Sequence, residues 1–244
     1  EKVTNIKEFC DCAEAFGNFQ QQLSEFDAST LHEAIKDFHN TPVRFANLMK
    51  AIEKDPLGRV ASVKSEIYFV LAREEFCKTL ENARIAGTLP LRVTHNDTKL
   101  NNILFDESTD APVCVIDLDT IMPSFIFSDF GDFLRSAANT GKEDDADLNN
   151  VQFNMEIFKA FAKGYIESAK VFLTPLEIEM LPYAAQLFPY MQAVRFLADY
   201  INGDTYYQIK YADHNLVRTK AQYKLYQEAC NCEPAMKEFS ASVM

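Results

Sequence analysis

His95-Asn96-Asp97-Thr98-Lys99-Leu100-Asn101-Asn102 lies between two short apolar runs, Leu91 to Thr94 and Ile103 to Phe105. A third run, Val113 to Ile116, ends in Asp117-Leu118-Asp119. Short apolar runs bounded by polar loops predict strands. An Asp, an Asn and a further pair of carboxylates are therefore expected where neighbouring strands end. Phosphoryl transfer needs such a set: a carboxylate beside the attacking hydroxyl, oxygen ligands for Mg²⁺, and cations against the charge of the transferred group. Asp97 is expected to accept the hydroxyl proton. Asn102 and Asp117 are expected to hold Mg²⁺, with Asp119 beside them, and Lys99 to meet the γ-phosphate of ATP. His95 is expected to brace the loop. Asp and Asn also commonly satisfy backbone groups in long turns, but a turn alone does not account for Asp117 and Asp119.

Outward from this segment, helices should dominate, since the seven glycines are scattered singly and form no Gly-rich loop. Phe9, Cys12, Phe16, Phe19, Leu23 and Phe26 recur at helical steps. Thr30 with Glu33 reads as a capping box opening a second helix through Leu31, Ile35 and Phe38, before Pro42. A long third helix is expected from about Ser62 to Arg84, stopped by Gly87 and Pro90. Beyond the strands, Phe153, Ile157, Phe161 and Tyr165 mark another helix, and Thr174-Pro175-Leu176-Glu177 is a strong helix start. Pro182 and Pro189 are expected to break or kink the chain after that start, before Tyr190 to Tyr200 resumes helical spacing, and Leu216 to Cys230 closes with an amphipathic helix.

The chain of 244 residues has 36 acidic and 24 basic side chains, a net charge of −12, and 48% apolar residues. That composition is globular and excludes disorder. It lacks the cationic surplus that nucleic acid would require. No apolar stretch is long enough for a membrane span and no secretion signal opens the sequence, so a cytoplasmic protein is expected. Cys10 with Cys12 and Cys230 with Cys232 fall in helical segments where i and i+2 side chains point apart, which favours reduced thiols over a zinc site. The acidic run Lys142 to Asp147 lacks calcium-ligand spacing and reads as a solvated loop without chemistry.

His95-x-Asp97-x-x-x-x-Asn102 followed by a strand-borne Asp117 has the order of the protein-kinase catalytic and metal-binding segments. Protein kinases proper fit poorly. Asn96 stands where they carry Arg, Asp117-Leu118-Asp119 where they carry Asp-Phe-Gly, and no Ala-Pro-Glu follows. With Val115 to Pro123, Asp129-Phe130-Gly131-Asp132, Arg195 to Tyr200 and Gly203 to Tyr207, the chain resembles the aminoglycoside phosphotransferase-like superfamily. Within it, the last two stretches are similar to the N-acetylhexosamine 1-kinase branch. The resemblance implies an α+β, mostly α fold: the C-terminal lobe of a protein-kinase-like phosphotransferase, with a small β-hairpin region at the catalytic loop. It implies ATP and Mg²⁺ as cofactors and contacts from Arg195 and Tyr206 to a sugar whose anomeric hydroxyl faces Asp97. Kinases of this fold place a β-rich lobe, with a phosphate-covering loop and a strand Lys, before the catalytic loop. Here 94 residues precede His95, they read as helices, and no Met opens them. Residues 1–244 are accordingly expected to be the catalytic and acceptor-binding lobe, inactive alone, with the N-terminal nucleotide-binding lobe elsewhere in the same polypeptide.

A neutral sugar calls for bidentate donors and an aromatic face, which Arg195 and Tyr206 supply. Alternatively, Arg195 pairs with Asp199 one turn on and Tyr206 is rim packing. Two other functions compete. A kinase for a cationic acceptor such as an aminoglycoside or choline would suit the −12 charge, although the lack of Trp weakens an aromatic cage. A non-catalytic kinase-like interaction module would leave the base and metal residues without a task.

Overall fold

In a computed structural model, residues 5–244 are described. The architecture is α+β and mostly helical, as expected. Helices α1 (Ile6–Gln22), α2 (Thr41–Lys54), α3 (Lys64–Leu71) and α4 (Glu74–Ile85) precede four short strands. These are β1 (Arg92–Thr94), β2 (Ile103–Phe105), β3 (Pro112–Val115) and β4 (Met122–Ser124). They form two antiparallel pairs, β1 with β4 and β2 with β3. Helices α5 (Phe127–Ala137), α6 (Met155–Ala169), α7 (Pro175–Glu179), α8 (Leu181–Ile201) and α9 (His214–Val243) complete the chain. Among the described residues no helix is long and apolar enough to cross a membrane.

α8 is the buried axis, packed by α2, α5 and α9, while α1 lies along α6. One core joins α1, α5, α6 and α9 through Phe16, Phe130, Phe133, Phe161 and Leu225. A second joins α2, α3 and the C-terminal half of α8 through Leu48, Val70, Val194 and Leu197. Arg92 on β1 makes a fork to Glu177, at 2.7 Å from Nε and 2.8 Å from Nη2. Glu177 also accepts from Thr174 N in a capping box at the expected helix start, so one buried carboxylate binds the small sheet to the start of α7.

Several helix boundaries differ from those expected. No helix runs from Leu31 to Phe38; a single turn at Ala28–Thr30 is followed by irregular chain. Pro42, expected beyond a helix end, instead sits in the first turn of α2, where its missing N–H costs nothing, and Asn40 caps that helix by accepting from Val43 N. The helix expected over Ser62 to Arg84 is broken between α3 and α4. There the Arg73 guanidinium lies 3.7 Å from the Phe69 ring centroid and donates to the Phe69 carbonyl. Pro189 does not interrupt α8 and Pro234 does not interrupt α9. Around Pro189, α8 is enclosed by neighbours whose packing outweighs one lost backbone bond. The six cysteines are free thiols, with Cys10 and Cys12 on α1 and Cys230 and Cys232 on α9.

Candidate active site

The loop from His95 to Asn102 is held by side chains from α5, α1 and Thr120 together with its own. Asp129, fully buried on α5, accepts from His95 N at 2.9 Å, Asn96 N at 2.7 Å and Gln20 Nε2 at 2.6 Å. Its own carbonyl accepts from Thr98 Oγ1 at 2.6 Å. Burial pushes the Asp129 carboxyl up, and the donors from His95, Asn96 and Gln20 oppose that shift. Gln20 is itself fixed by the Tyr165 hydroxyl, so α6 and α1 reach the loop through one relay. Thr120 completes the frame, donating to the His95 carbonyl at 2.7 Å while its own carbonyl accepts from Asn96 Nδ2 at 3.1 Å.

His95 bonds to both loops. Its ring is buried between Phe16 and Phe19, Nε2 donates to the Ile116 carbonyl at 2.9 Å, and Nδ1 accepts from Asp97 N at 3.3 Å. The Nε2–H tautomer satisfies both bonds. His95 thereby couples the position of Asp97 to the residue preceding Asp117. A backbone bond from Ile116 N to the Asn102 carbonyl, 2.9 Å, makes a second tie between the two loops. Asn96 and Asp117 have φ of 65° and 66°, a left-handed conformation that Asn and Asp tolerate best among residues with a side chain.

Asp97, Lys99 and Asn102 meet in space. Lys99 Nζ lies 2.6 Å from Asp97 Oδ2, and Asn102 Nδ2 donates to the same oxygen at 3.1 Å and to the Asp97 carbonyl at 2.8 Å. Burial lowers the Lys99 amine, but its bond to Asp97 and the charges of Asp97, Asp117 and Asp132 carry it above the ordinary value. Asn102 turns its nitrogen to Asp97, and its Oδ1 accepts no hydrogen bond among the described residues. The Asp117 and Asp119 side chains are exposed and likewise unengaged, with Asp119 on the turn that follows Asp117. Among the described residues no three His, Cys, Asp or Glu side chains gather into an all-protein metal cage. An amide oxygen with one or two carboxylates nevertheless fits Mg²⁺, which completes its shell with waters and substrate phosphates.

The sequence assigned no role to Asp132, which shares α5 with Asp129 and faces the site. Burial pushes its carboxyl up to about 6; Arg135 opposes this, and Asp97 and Asp129 add to it. Its side chain contacts Arg135 at 3.4 Å, and Arg135 also bonds Glu143 at 3.0 Å. Nor did any local signal mark Leu104 on β2 and Val113 on β3, apolar side chains of the hairpin beside Asn102 that are 51% and 67% exposed.

Arg195 and Tyr206 lie together, on α8 and the loop after it, at a cavity of about 170 Å³. Arg195 does not pair with Asp199. Its Nη1 donates to Gln192 Oε1 at 3.2 Å. Asp199 instead collects the backbone N–H groups of Thr205, Tyr206 and Tyr207 at 2.9 to 3.0 Å, which sets the position of both tyrosines. The acidic run is also more than a solvated loop, because Asp144 accepts from Lys210 Nζ and His214 Nε2, both at 3.0 Å.

The family model APH, described as a phosphotransferase enzyme family, matches residues 13–164. That span contains Asp97, Lys99, Asn102, Asp117, Asp129 and Asp132, whereas Arg195 and Tyr206 lie beyond it.

Proposed function

Because the chain belongs to the phosphotransferase enzyme family, we propose that it is the catalytic and acceptor-binding lobe of an ATP-dependent kinase that phosphorylates the anomeric hydroxyl of an N-acetylhexosamine. The observation that carries the reading is the Asn102 amide, which donates to Asp97 and leaves its oxygen without a hydrogen bond among the described residues, while the Asn102 carbonyl is tied to Ile116, the residue before Asp117. Asp97 is the base: its carboxylate, oriented by Lys99 and Asn102, receives the proton of the attacking hydroxyl. Lys99, beside Asp97, supplies positive charge toward the γ-phosphate. Asn102 and Asp117 would hold Mg²⁺, with Asp119 adjacent. When bound, MgATP supplies the phosphoryl group and neutralises its charge. The apolar surface at the exposed Leu104, two residues after Asn102, suits the base of a nucleotide. A roof over that surface is not among the described elements before β1, all of which are helical. We assign it to a nucleotide-binding lobe elsewhere in the same polypeptide.

For the acceptor, Arg195 and Tyr206 provide donors and an aromatic face. Arg44 lines the same cavity, and two guanidiniums disfavour the ammonium groups of choline or an aminoglycoside. The test is a substrate panel with the enzyme complete with its nucleotide lobe. N-acetylglucosamine or N-acetylgalactosamine should react at C1 and their methyl glycosides should not. Asp97→Asn should slow the chemical step by about 10²–10⁴ with nucleotide affinity nearly intact, and Asp117→Asn should weaken the Mg²⁺ dependence. Turnover of choline or kanamycin without turnover of hexosamines would overturn the acceptor assignment, and normal turnover by Asp97→Asn would overturn the base.

A further inference from the structure

Arg59, Arg84, Arg92 and Arg135 each hold a carboxylate within 3.4 Å. Arg44 on α2 and Arg195 on α8 do not, and among the described residues neither forms an ion pair although the chain carries 36 acidic side chains. They line one cavity with Asn47, Asn202, Thr205 and Tyr206. Arg44 donates only to the Phe38 carbonyl, from Nη2 at 2.9 Å, and its buried Nε has no partner. Arg195 is held by Gln192 and by aromatic rings, with Phe38, Tyr206 and Tyr207 centroids at 5.9, 6.0 and 5.6 Å. Aromatic faces fix a guanidinium without consuming its donors. Burial and the nearby Arg195 charge lower the Arg44 guanidinium from its ordinary value, and burial with the charges of Arg195 and Arg44 pushes His39 down to about 3.

Asp199 also lines the cavity, but both of its oxygens are taken by backbone N–H groups and by Asn215 Nδ2. Two cations facing one space, with free donors and flanking amides, are complementary to an oxyanion. The cavity volume of about 170 Å³ is below the roughly 300–1,000 Å³ that a whole small ligand fills. It therefore suits one substituent of a larger molecule.

We propose that the Arg44–Arg195 cavity is an oxyanion subsite, taking a phosphate or carboxylate borne by the acceptor away from the hydroxyl that is phosphorylated. The proposal rests on the reading of this face as the acceptor site and deepens it: the preferred N-acetylhexosamine carries a phosphate or a carboxylate away from C1, and the free sugar is the weaker acceptor.

Isothermal titration calorimetry of the 244-residue chain with N-acetylglucosamine, N-acetylglucosamine 6-phosphate, glucuronate and inorganic phosphate tests it. The sugar phosphate or glucuronate should bind at least about tenfold tighter than N-acetylglucosamine, and the advantage should shrink with added salt. Arg44→Gln should abolish it. So should Asn47→Asp, an exposed change on α2 that sets a carboxylate beside the cavity and leaves the core untouched. Equal binding of charged and neutral sugars, or an advantage that survives both substitutions, overturns the subsite and leaves the neutral-sugar reading standing. Inorganic phosphate binding as tightly as the sugar phosphate, and lost in Arg44→Gln, supports the subsite while removing the sugar from it.

Discussion

Asp129 and Asp132 stand one turn apart on α5 and meet different surroundings. Asp129 is filled with donors and works as a clamp on the catalytic loop. Asp132 has one loose contact to Arg135 and lies near Asp97, and its carboxyl is pushed up to about 6. Between the ordinary value of 3.8 and about 6, the folded chain keeps a proton on Asp132 that the unfolded chain has released. Stability from this group therefore falls as pH rises through that window, by up to about 3 kcal/mol. Asp132→Asn should remove the fall, so the variant should gain melting temperature relative to the parent between pH 4 and pH 7. Parallel melting curves for the two proteins across that range would show that Asp132 is not buried as a strained charge.

The elements are held at close crossings and by one loop latch. At the crossing of α5 on α8, a Cβ on Gly131 would come within 2.3 Å of the Phe188 ring and 2.7 Å of the Ala184 carbonyl. The backbone atom cannot yield without moving α8. Gly131→Ala should therefore cost roughly 1–3 kcal/mol, despite alanine's better helix propensity. Denaturant unfolding measures it, and because Asp129 shares that helix the loss should reach catalysis as well. The latch is Asp144, which joins the acidic loop to Lys210 and to His214 at the start of α9. The bonds from Lys210 and His214 hold its carboxyl down at about 2. A lowered acid contributes stability that is complete above its ordinary range and is lost as pH falls toward 2. Asp144→Asn should cost roughly 1–2 kcal/mol at pH 7, after allowance for its partial exposure, and nothing near pH 2. Thermal melts at both pH values check this.

At the scale of the molecule, the described elements are helices and two small sheets with no β-rich layer before β1, and on the proposed function we expect this chain alone to bind MgATP weakly and to show little turnover. Calorimetry with MgATP tests that; tight binding would mean that the helices before β1 themselves roof the nucleotide. The strands around His95, the body of α6 and the start of α7 were legible in the sequence because local signals settle them: short apolar runs, a 3.6-residue stripe, an N-cap Thr followed by Pro and Glu. The kinase-like order of Asp97, Asn102 and Asp117 was legible for the same reason, as residues near in sequence that strand ends bring near in space. The irregular chain after Thr30, the break at Ala72–Arg73 and the unbroken course of α8 through Pro189 were not. The course of α8 is decided by the neighbours packed against it, because burial against adjacent helices outweighs a lost bond of a few kcal/mol. Residues 31–38 and the break at Ala72–Arg73, by contrast, lie in chain that buries no side chain fully and so has no packing to hold a helix. The clamp at Asp129, the nest at Asp199 and the pairing of Arg44 with Arg195 join residues from 6 to 151 positions apart. Residue types and local spacing determined which chemistry the chain carries. Only the tertiary structure decided which carboxylates hold the loops and which stay free, because a buried carboxylate's role depends on the donors that distant segments bring to it.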